Sequence, residues 1–496
     1  MEKILVEIIK KSCDKYRAEV ALHSHSEQLS YENLLIKGQS LAVSLLDKNL
    51  SSDSIVMVKC SNSPSDFIAL LAVWMIGGVV VPIHRSVPKN VMASIQKKAR
   101  CEGLIDLFSL SNPIKKFKTE KMAPTVKVER DEVLNDAALV IFTSGSTGQP
   151  KGAVLSHSSL YGKLKQNQKL FNISSKTNTL LVLNNTFSFG IWVALITLVK
   201  GGAVYLHSSF CPTPFLKDLV RWKITFVAVV PTMIRNIFEK TSQEEQEFLR
   251  LEIKKTKKLD QVVIGGELLG ERLSAELRHF ISPAKLYDVY GLTETATSDF
   301  YLDPSDYKNN KNSIGKAFPK IDFRIVSDKI KNFPNQSGEL QLRTPYMMSG
   351  YLGEKKLTLA AFHDGWFKTG DLAKCNEHGF VTITGRIKEL IIRGGNKITP
   401  LEVEQALLRS AGVLGALVTG VPDTIMGQRI HALVVPKAGE ILSASSIKKE
   451  LVNTLEKFKH PDVFWLADHL PTGRTGKIDR RRFEELINAK TLCQLV

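Results

Sequence analysis

Ile141-Phe142-Thr143-Ser144-Gly145-Ser146-Thr147-Gly148-Gln149-Pro150-Lys151-Gly152 gathers hydroxyls, glycines and one lysine into a single short segment. Ala138-Leu139-Val140-Ile141-Phe142 before it is an apolar run that reads as a buried strand, so the loop should leave the edge of a sheet. Glycines let backbone N–H groups approach phosphate oxygens with no Cβ in the way. The hydroxyls of Thr143, Ser144, Ser146 and Thr147 add donors, and Lys151 adds a positive charge. The segment suits a polyphosphate, with Thr143, Ser144, Gly145, Ser146, Thr147, Gly148 and Lys151 as its candidate contacts.

Spacing decides which kind of phosphate loop this is. A Walker A loop needs Gly-x4-Gly-Lys followed by Ser or Thr, whereas Lys151 follows Pro150 and precedes Gly152. The string instead resembles the phosphate loop of the adenylate-forming superfamily, which includes acyl-CoA synthetases, adenylation domains of peptide synthetases and luciferases. Further segments match the same superfamily in the same order across nearly the whole chain.

Tyr290-Gly291-Leu292-Thr293-Glu294 resembles that family's nucleotide segment. The resemblance implies an aromatic face for adenine from Tyr290, a hydroxyl for the α-phosphate from Thr293, and a Glu294 carboxylate for Mg²⁺. Gly265-Gly266-Glu267 and Asp288 resemble positions around adenine and the acyl pocket. In Trp366-Phe367-Lys368-Thr369-Gly370-Asp371 an acid follows what reads as a tight turn. By the resemblance Asp371 accepts from both ribose hydroxyls, which one carboxylate can do with its two oxygens. Arg386 is implied to contact ribose or phosphate.

Leu470-Pro471-Thr472-Gly473-Arg474-Thr475-Gly476-Lys477-Ile478-Asp479-Arg480 resembles the lid segment whose lysine is catalytic. Lys477 is implied to bridge the attacking carboxylate and the α-phosphate, where negative charge builds up. The implied chemistry has two halves: a carboxylate attacks Mg·ATP to give acyl-AMP and pyrophosphate, then an acceptor, usually a thiol, takes the acyl group and releases AMP. The implied C-terminal domain rotates between halves about Lys388, withdrawing Lys477 and presenting Gly394-Gly395 to the pantetheine arm of CoA.

Peptide-synthetase domains that activate α-amino acids hold the ammonium with an Asp in a Phe-Asp-x-Ser-x-Trp type segment. The matching segment here is Thr186-Phe187-Ser188-Phe189-Gly190-Ile191-Trp192, with Ser188 where that acid would fall. A buried ammonium would lack its counter-ion, which disfavours an α-amino acid. Phe187, Ser188, Gly190 and Gly265 are the candidate acyl-pocket residues, and bulky Phe187, Phe189 and Trp192 offer a compact lining. Gly394-Gly395-Asn396-Lys397 is more similar to acyl-CoA synthetases, so an acyl- or aryl-CoA ligase is the leading expectation. The alternatives are a stand-alone ligase that passes the acyl group to a carrier protein's phosphopantetheine or, like coronafacate-ligase-like amide synthetases, to an amine. An inactive pseudoenzyme would be expected to have lost Lys477, Glu294 or Asp371, and all three are present.

Composition sets bounds consistent with this. At 496 residues the chain exceeds what one core usually serves, and 43% hydrophobic with 24% charged residues is ordinary for a globular protein. Its net charge of +17 includes runs such as Lys254-Lys255-Thr256-Lys257-Lys258 and Arg480-Arg481-Arg482. No recognisable nucleic-acid module accompanies them, so no nucleic-acid partner is expected, and a basic nucleic-acid-binding protein stands beside the pseudoenzyme as a non-enzyme alternative. ATP, pyrophosphate, CoA or an acidic carrier protein would benefit from the same field.

Six cysteines lie far apart, with no Cys-x-x-Cys pair, which argues for free thiols and no structural metal. His23-Ser24-His25 has no cysteine partner nearby in the sequence and reads as a polar segment leading into a strand. Phe67 to Pro82 is the longest apolar run, and Gly77-Gly78 interrupts it, so no membrane span is expected. The N-terminal residues alternate charge with aliphatics and carry acids, which a secretory signal avoids; a cytoplasmic protein is expected. Cys493-Gln494-Leu495-Val496 formally matches a prenylation box, but the terminal Val is atypical and no polybasic stretch lies close before it.

Alternating strand-like runs and amphipathic stretches predict α/β layers in the first three quarters of the chain. From about residue 310 short strands with turn signals predict a small β-barrel attached to them. Thr384-Gly385-Arg386-Ile387-Lys388-Glu389 carries the strongest boundary signal. A large N-terminal domain of layered α/β sheets over 1–385 and a small mobile α+β lid over 386–496 follow.

Overall fold

The computed structural model describes residues 3–52, 54–108, 114–116, 131–144, 150–327, 337–473 and 477–495. The run from Phe67 to Pro82 shows how sequence becomes architecture. Pro64 opens the helix Pro64–Met75 at a position where its missing N–H costs nothing, and Asp66 accepts from Ser63 N (3.0 Å) and Ser63 Oγ (2.8 Å). The helix is apolar nearly all round because it is buried nearly all round. It stops where Gly77 takes φ +76°, a left-handed conformation that a side chain would resist, and the chain re-enters as strand Val79–His84.

That strand lies parallel to Ile55–Cys60 within a seven-stranded sheet, which also holds Ala137–Ser144 and its antiparallel partner Pro150–Ser156. A nine-stranded sheet stands beside it. Six of its strands, Val20–His23, Ala203–Leu206, Asn178–Leu181, Phe226–Val229, Gln261–Gly265 and Lys285–Tyr290, run parallel, as continuous apolar strands under helices should. The helices pack Trp74, Phe171, Trp192 and Leu195 into one core between the sheets.

His157 begins the helix His157–Leu170 fully buried, edge-on to Trp74 at 5.7 Å between ring centroids. Burial depresses its pKa from 6.5 to about 4. A folded-state pKa below the unfolded one means that the stability is complete above pH 6.5 and is lost as pH falls toward 4. The loss is about 1.4 kcal/mol per pH unit across that window. His157→Phe should remove this slope, read from urea midpoints of both proteins at pH 7 and pH 5.

Strands Asp322–Val326, Gly338–Arg343, Phe362–His363, Trp366–Cys375 and Val381–Arg386 form the antiparallel unit that the turn signals forecast. Within it the segment read as a tight turn before Asp371 is one long bent strand. Gly370 takes φ +74° there, and Thr369 Oγ1 both donates to Leu340 O (2.6 Å) and accepts from Asp371 N (3.0 Å). The bend occurs without breaking the strand, which is why sequence reads it as a turn.

Sheet membership changes between Arg386, the last residue of Val381–Arg386, and Ile391, the first of Ile391–Arg393. A single 3₁₀ turn, Ile387–Glu389, carries Lys388 across the gap. The remaining strands make a six-stranded sheet with its own core of Ile391, Leu407, Val418, Ile430, Val434 and Phe464. Among the described residues no helix is long and apolar enough to cross a membrane.

Candidate active site

In open parallel sheets, ligands bind outside the carboxyl ends of the strands. Gly265-Gly266-Glu267 lies at the end of Gln261–Gly265, and Asp288 and Tyr290 lie on the neighbouring Lys285–Tyr290, with Gly265 opposite Val289. Gly265 could carry no side chain, since a Cβ would stand 2.8 Å from Val289 O. The Asp288 carboxylate meets Arg278 Nη2 at 2.8 Å, yet burial raises its pKa to about 6. With Glu267, Val289 and Tyr307 it lines a cavity at these strand ends.

After Tyr290 the chain turns sharply into the 3₁₀ helix Thr293–Thr295. Three successive residues, Ala296, Thr297 and Ser298, then take φ of 56°, 71° and 59°. Left-handed backbone costs a non-glycine roughly 1–2 kcal/mol per residue, so something must hold it. A fully buried pair does: Lys163 Nζ reaches Asp299 Oδ1 at 2.7 Å and Ser298 O at 3.1 Å, and Asn167 Nδ2 donates to Ser298 Oγ at 3.2 Å. Thr295 Oγ1 donates to the other oxygen of Asp299.

Sequence reasoning missed Lys163 and Asp299. The signal was a lysine on the face of His157–Leu170 shared by Leu160, Leu164 and Asn167, all buried. Lys163→Met should destabilise the protein by about 3–5 kcal/mol, the scale of stranding one charge of a buried pair. Urea denaturation of Lys163→Met beside the double variant Lys163→Met, Asp299→Leu checks this, because removing both charges should recover most of the loss.

Glu294 follows directly. Its Oε1 accepts from Tyr351 OH at 2.8 Å, its backbone O accepts from Met348 N at 2.7 Å, and Lys151 Nζ lies over the Tyr351 ring at 5.6 Å. Tyr351, absent from the sequence reading, thus links Lys151 to Glu294. Lys151 sits on Pro150–Ser156 opposite Thr143 at the end of Ala137–Ser144. Gly145, Ser146, Thr147 and Gly148 lie outside the described residues, as does the Ser144 side chain.

Asp371 and Arg386 face each other across paired strands, with Arg386 Nε 2.8 Å from Asp371 Oδ1. Tyr290 OH donates to Asp371 Oδ2 at 2.5 Å, and burial, with Asp371 beside it, holds that phenol well above its usual pKa. The carboxylate is 3% exposed, yet an ionised carboxylate offers about four lone-pair sites. Two remain for further donors such as a pair of vicinal hydroxyls. Asp371 in turn holds the Arg386 guanidinium more firmly protonated.

Lys477 reaches this group from the C-terminal unit. A Cβ on Gly266, whose φ is +94°, would stand 2.8 Å from Lys477 Cε and 3.3 Å from its Nζ, so a glycine makes the lysine's seat. Ile478 N donates to Glu267 Oε1, and Arg235 Nη1 lies 3.5 Å from Glu267 Oε2. Lys477 is walled by both units while water still reaches its side chain. That crowding lowers its pKa, Arg386 lowers it further, and Glu267 and Asp371 oppose the drop. Arg480 anchors the segment through Glu404 at 2.6 Å and Glu389 at 3.3 Å.

The same orientation leaves Gly394 and Gly395 at an exposed hairpin tip, between Ile391–Arg393 and Asn396–Ile398. Their φ values of +54° and +80° are those of a two-residue hairpin turn, and a Cβ on Gly395 would meet nothing within 4 Å. Phe187 precedes the helix Ser188–Leu198, and Ser188 Oγ lies 3.0 Å from Thr293 Oγ1. Phe189 reaches the Gly265 position, at 3.6 Å from a Cβ there. Gly190 packs against the Asn184 carbonyl, 2.3 Å from where its Cβ would be. Trp192 is 3% exposed and its ring lies 5.9 Å from those of both Phe171 and Phe189, so it backs Phe189 from the core.

The site therefore brings together Lys151, Glu294 and Tyr351 in one group. Tyr290, Asp371 and Arg386, approached by Lys477 over Gly266, form a second. Hydroxyls and cations suit a polyanion, the buried carboxylate a diol, and the glutamate a hard cation. An arrangement of this kind can hold a nucleoside polyphosphate and stabilise charge at its reacting phosphorus.

The family described as AMP-binding enzyme matches residues 9–352, and its AMP-binding enzyme C-terminal domain matches residues 402–477. A 2-succinylbenzoate–CoA ligase of Bacillus velezensis is 27% identical over 482 residues, covering 94% of this chain and 95% of that one. A feruloyl-CoA synthase of Amycolatopsis is 32% identical over 357 residues, covering 71% of this chain and 70% of that one. Among solved structures, the o-succinylbenzoate CoA synthetase of Bacillus subtilis, in complex with its acyl-adenylate intermediate, superposes with a TM-score of 0.81. It is 23% identical and covers 96% of this chain and 97% of its own.

Proposed function

This chain belongs to the AMP-binding enzyme family, and from that premise we propose that it is an AMP-forming acid–thiol ligase whose acceptor is CoA. A carboxylate oxygen attacks the α-phosphorus of Mg·ATP, pyrophosphate leaves, and an acyl-AMP forms. The CoA thiol then attacks the acyl carbon and AMP departs with the former carboxylate oxygen.

The observation that carries the reading is the position of Lys477, seated on Gly266 between the carboxylates of Glu267 and Asp371. An ammonium fixed there faces the charge that builds as carboxylate and phosphate approach, and phosphoryl transfer is mostly positioning and electrostatics. In this reading Thr143, Ser144, the 145–148 segment and Lys151 hold the phosphates, Thr293 the α-phosphate and Glu294 the magnesium. Asp371 and Arg386 hold the ribose, with Tyr290, Gly291, Gly266, Glu267 and Asp288 around adenine. Gly190 keeps Ser188–Leu198 close against the Asn184 carbonyl, and Phe187, Ser188 and Gly265 border the acyl group. The domain boundary falls at 385/386, with Lys388 as the hinge that later presents Gly394-Gly395 to the thiol.

The free thiols of all six cysteines suit a reducing compartment, which supports the cytoplasm as the location in this reading. Because the relatives named above act on 2-succinylbenzoate and ferulate, aryl acids lead the substrate panel. Pyrophosphate release from Mg·ATP is measured with each acid, with and without CoA. The reading requires release with at least one acid and a CoA thioester as product. Release that yields no thioester with CoA, but an acyl carrier protein adduct or an amide instead, would replace CoA as acceptor; no release with any acid would overturn the activity itself.

A further inference from the structure

His25, His207 and Asp218 come from three places in the sequence and meet at one point of the fold. His25 lies in the turn between strands Val20–His23 and Gln28–Ser30, His207 directly follows strand Ala203–Leu206, and Asp218 sits on the helix Pro212–Arg221. Both imidazole Nε2 atoms lie 3.0 Å from the same oxygen, Asp218 Oδ2, and the three donor atoms fall within 4.8 Å of one another. His23-Ser24-His25 reads as a polar segment leading into a strand, and its sequence neighbour Glu27 is taken by Lys37 at 3.0 Å; the fold supplies a different acid and a second imidazole.

We propose that these three residues form a divalent transition-metal site, distinct from the nucleotide site, with Zn²⁺ as the ion that fits best. Zinc at about 2.1 Å from each of three ligands in tetrahedral geometry needs ligand atoms about 3.4 Å apart. Two separations are already 3.0 Å and all three donor atoms lie within 4.8 Å, so a small adjustment of His25, which packs on Trp222 with 56% of its side chain exposed, brings the set to that spacing. His207 and Asp218 are 4% and 5% exposed, so two ligands are held rigidly by the core and one is delivered from the surface. The exposed side leaves a fourth position for water.

The ligand chemistry narrows the ion. Two imidazoles with one carboxylate favour zinc, nickel or copper over calcium and magnesium, which prefer oxygen. His207 is also braced through its backbone: its N donates to Leu181 O (3.0 Å) and its O accepts from Asn62 Nδ2 (3.0 Å). That same amide donates to Leu183 O at 2.9 Å, and Asn62 Oδ1 accepts from Asn185 N at 3.0 Å. An ion here would clamp the edge turn, the strand end and the helix together, and would stiffen the backbone that leads to Phe187 and Ser188.

Trp222 supplies an internal reporter, its ring centroid lying 4.7 Å from that of His25 and 5.4 Å from that of His207. The test uses tag-free full-length protein stripped with a chelator, titrated with Zn²⁺ by calorimetry and with Ni²⁺ by tryptophan quenching. The expected result is one Zn²⁺ per chain, a raised Tm on binding, and Ni²⁺ quenching that Trp222→Phe removes. His25→Ala, at an exposed position, should keep the metal-free Tm while weakening Zn²⁺ binding by more than the roughly 10- to 100-fold that losing an outer partner costs. Asp218→Asn should weaken Zn²⁺ binding by a similar factor, each affinity being read beside that variant's own metal-free Tm. Absence of stoichiometric binding would overturn the proposal. So would binding that persists unchanged in His25→Ala and Asp218→Asn but falls in Cys211→Ser or Cys493→Ser, the two exposed thiols.

Discussion

Lys477→Ala is expected to slow acyl-adenylate formation by about 100- to 1,000-fold, the scale of losing one preorganised charge-stabilising donor. Acyl transfer from supplied acyl-adenylate to CoA should stay near the wild-type rate. The expectation rests on the seat of the lysine. Gly266 leaves room for its Cε where any Cβ would stand 2.8 Å away, and Glu267, Asp371 and Arg386 set the field around it. Gly266→Ala should therefore reproduce the adenylation defect by displacing an intact lysine. Single-turnover quenched-flow measurement of each half-reaction checks both variants. Equal slowing of both halves by Lys477→Ala would remove the division of labour between the two lid orientations.

Gly395→Trp is expected to fail in the opposite half, slowing thioester formation by about 100-fold, as small misplacements of a reacting group can. Adenylation should be spared, because a Cβ at this position meets nothing within 4 Å while Lys477 occupies the site. The φ of +80° adds a left-handed cost of roughly 1–2 kcal/mol to any bulky residue there. Gly395→Asn separates the two effects, since Asn tolerates that backbone and adds little bulk. Near-wild-type thioester formation in Gly395→Asn, with loss in Gly395→Trp, assigns the effect to obstruction. Equal loss in both assigns it to the turn.

The parts of the fold that sequence announces are those in which local chemistry and tertiary role agree. Ser63, Pro64 and Gly77 bracket the helix Pro64–Met75 from the chain alone, and continuous apolar runs such as Phe226–Val229 are strands because both faces are covered. Asp371 was legible as a residue but not as a position, because Gly370 bends a strand in a way that looks like a turn. What escaped sequence reasoning depends on partners distant in the chain. Lys163 stands out on the apolar face of its helix, but the chain alone does not name Asp299 as the acid that neutralises it, and Tyr351 is an ordinary aromatic until its hydroxyl meets Glu294. His25 gains a role only when the sheet edge brings Asp218 beside it. Pairings of this kind arise from topology, and no local pattern encodes them.

The central claim is that a carboxylate oxygen becomes bonded to the α-phosphorus of ATP. It is tested most directly with an acid labelled with ¹⁸O in both carboxyl oxygens, turned over to completion with Mg·ATP and CoA, and mass analysis of the nucleotide product. Attack at the α-phosphorus followed by acyl transfer predicts AMP carrying one ¹⁸O, with none in pyrophosphate. Unlabelled AMP, or label recovered in inorganic phosphate alongside ADP, would contradict the acyl-adenylate route.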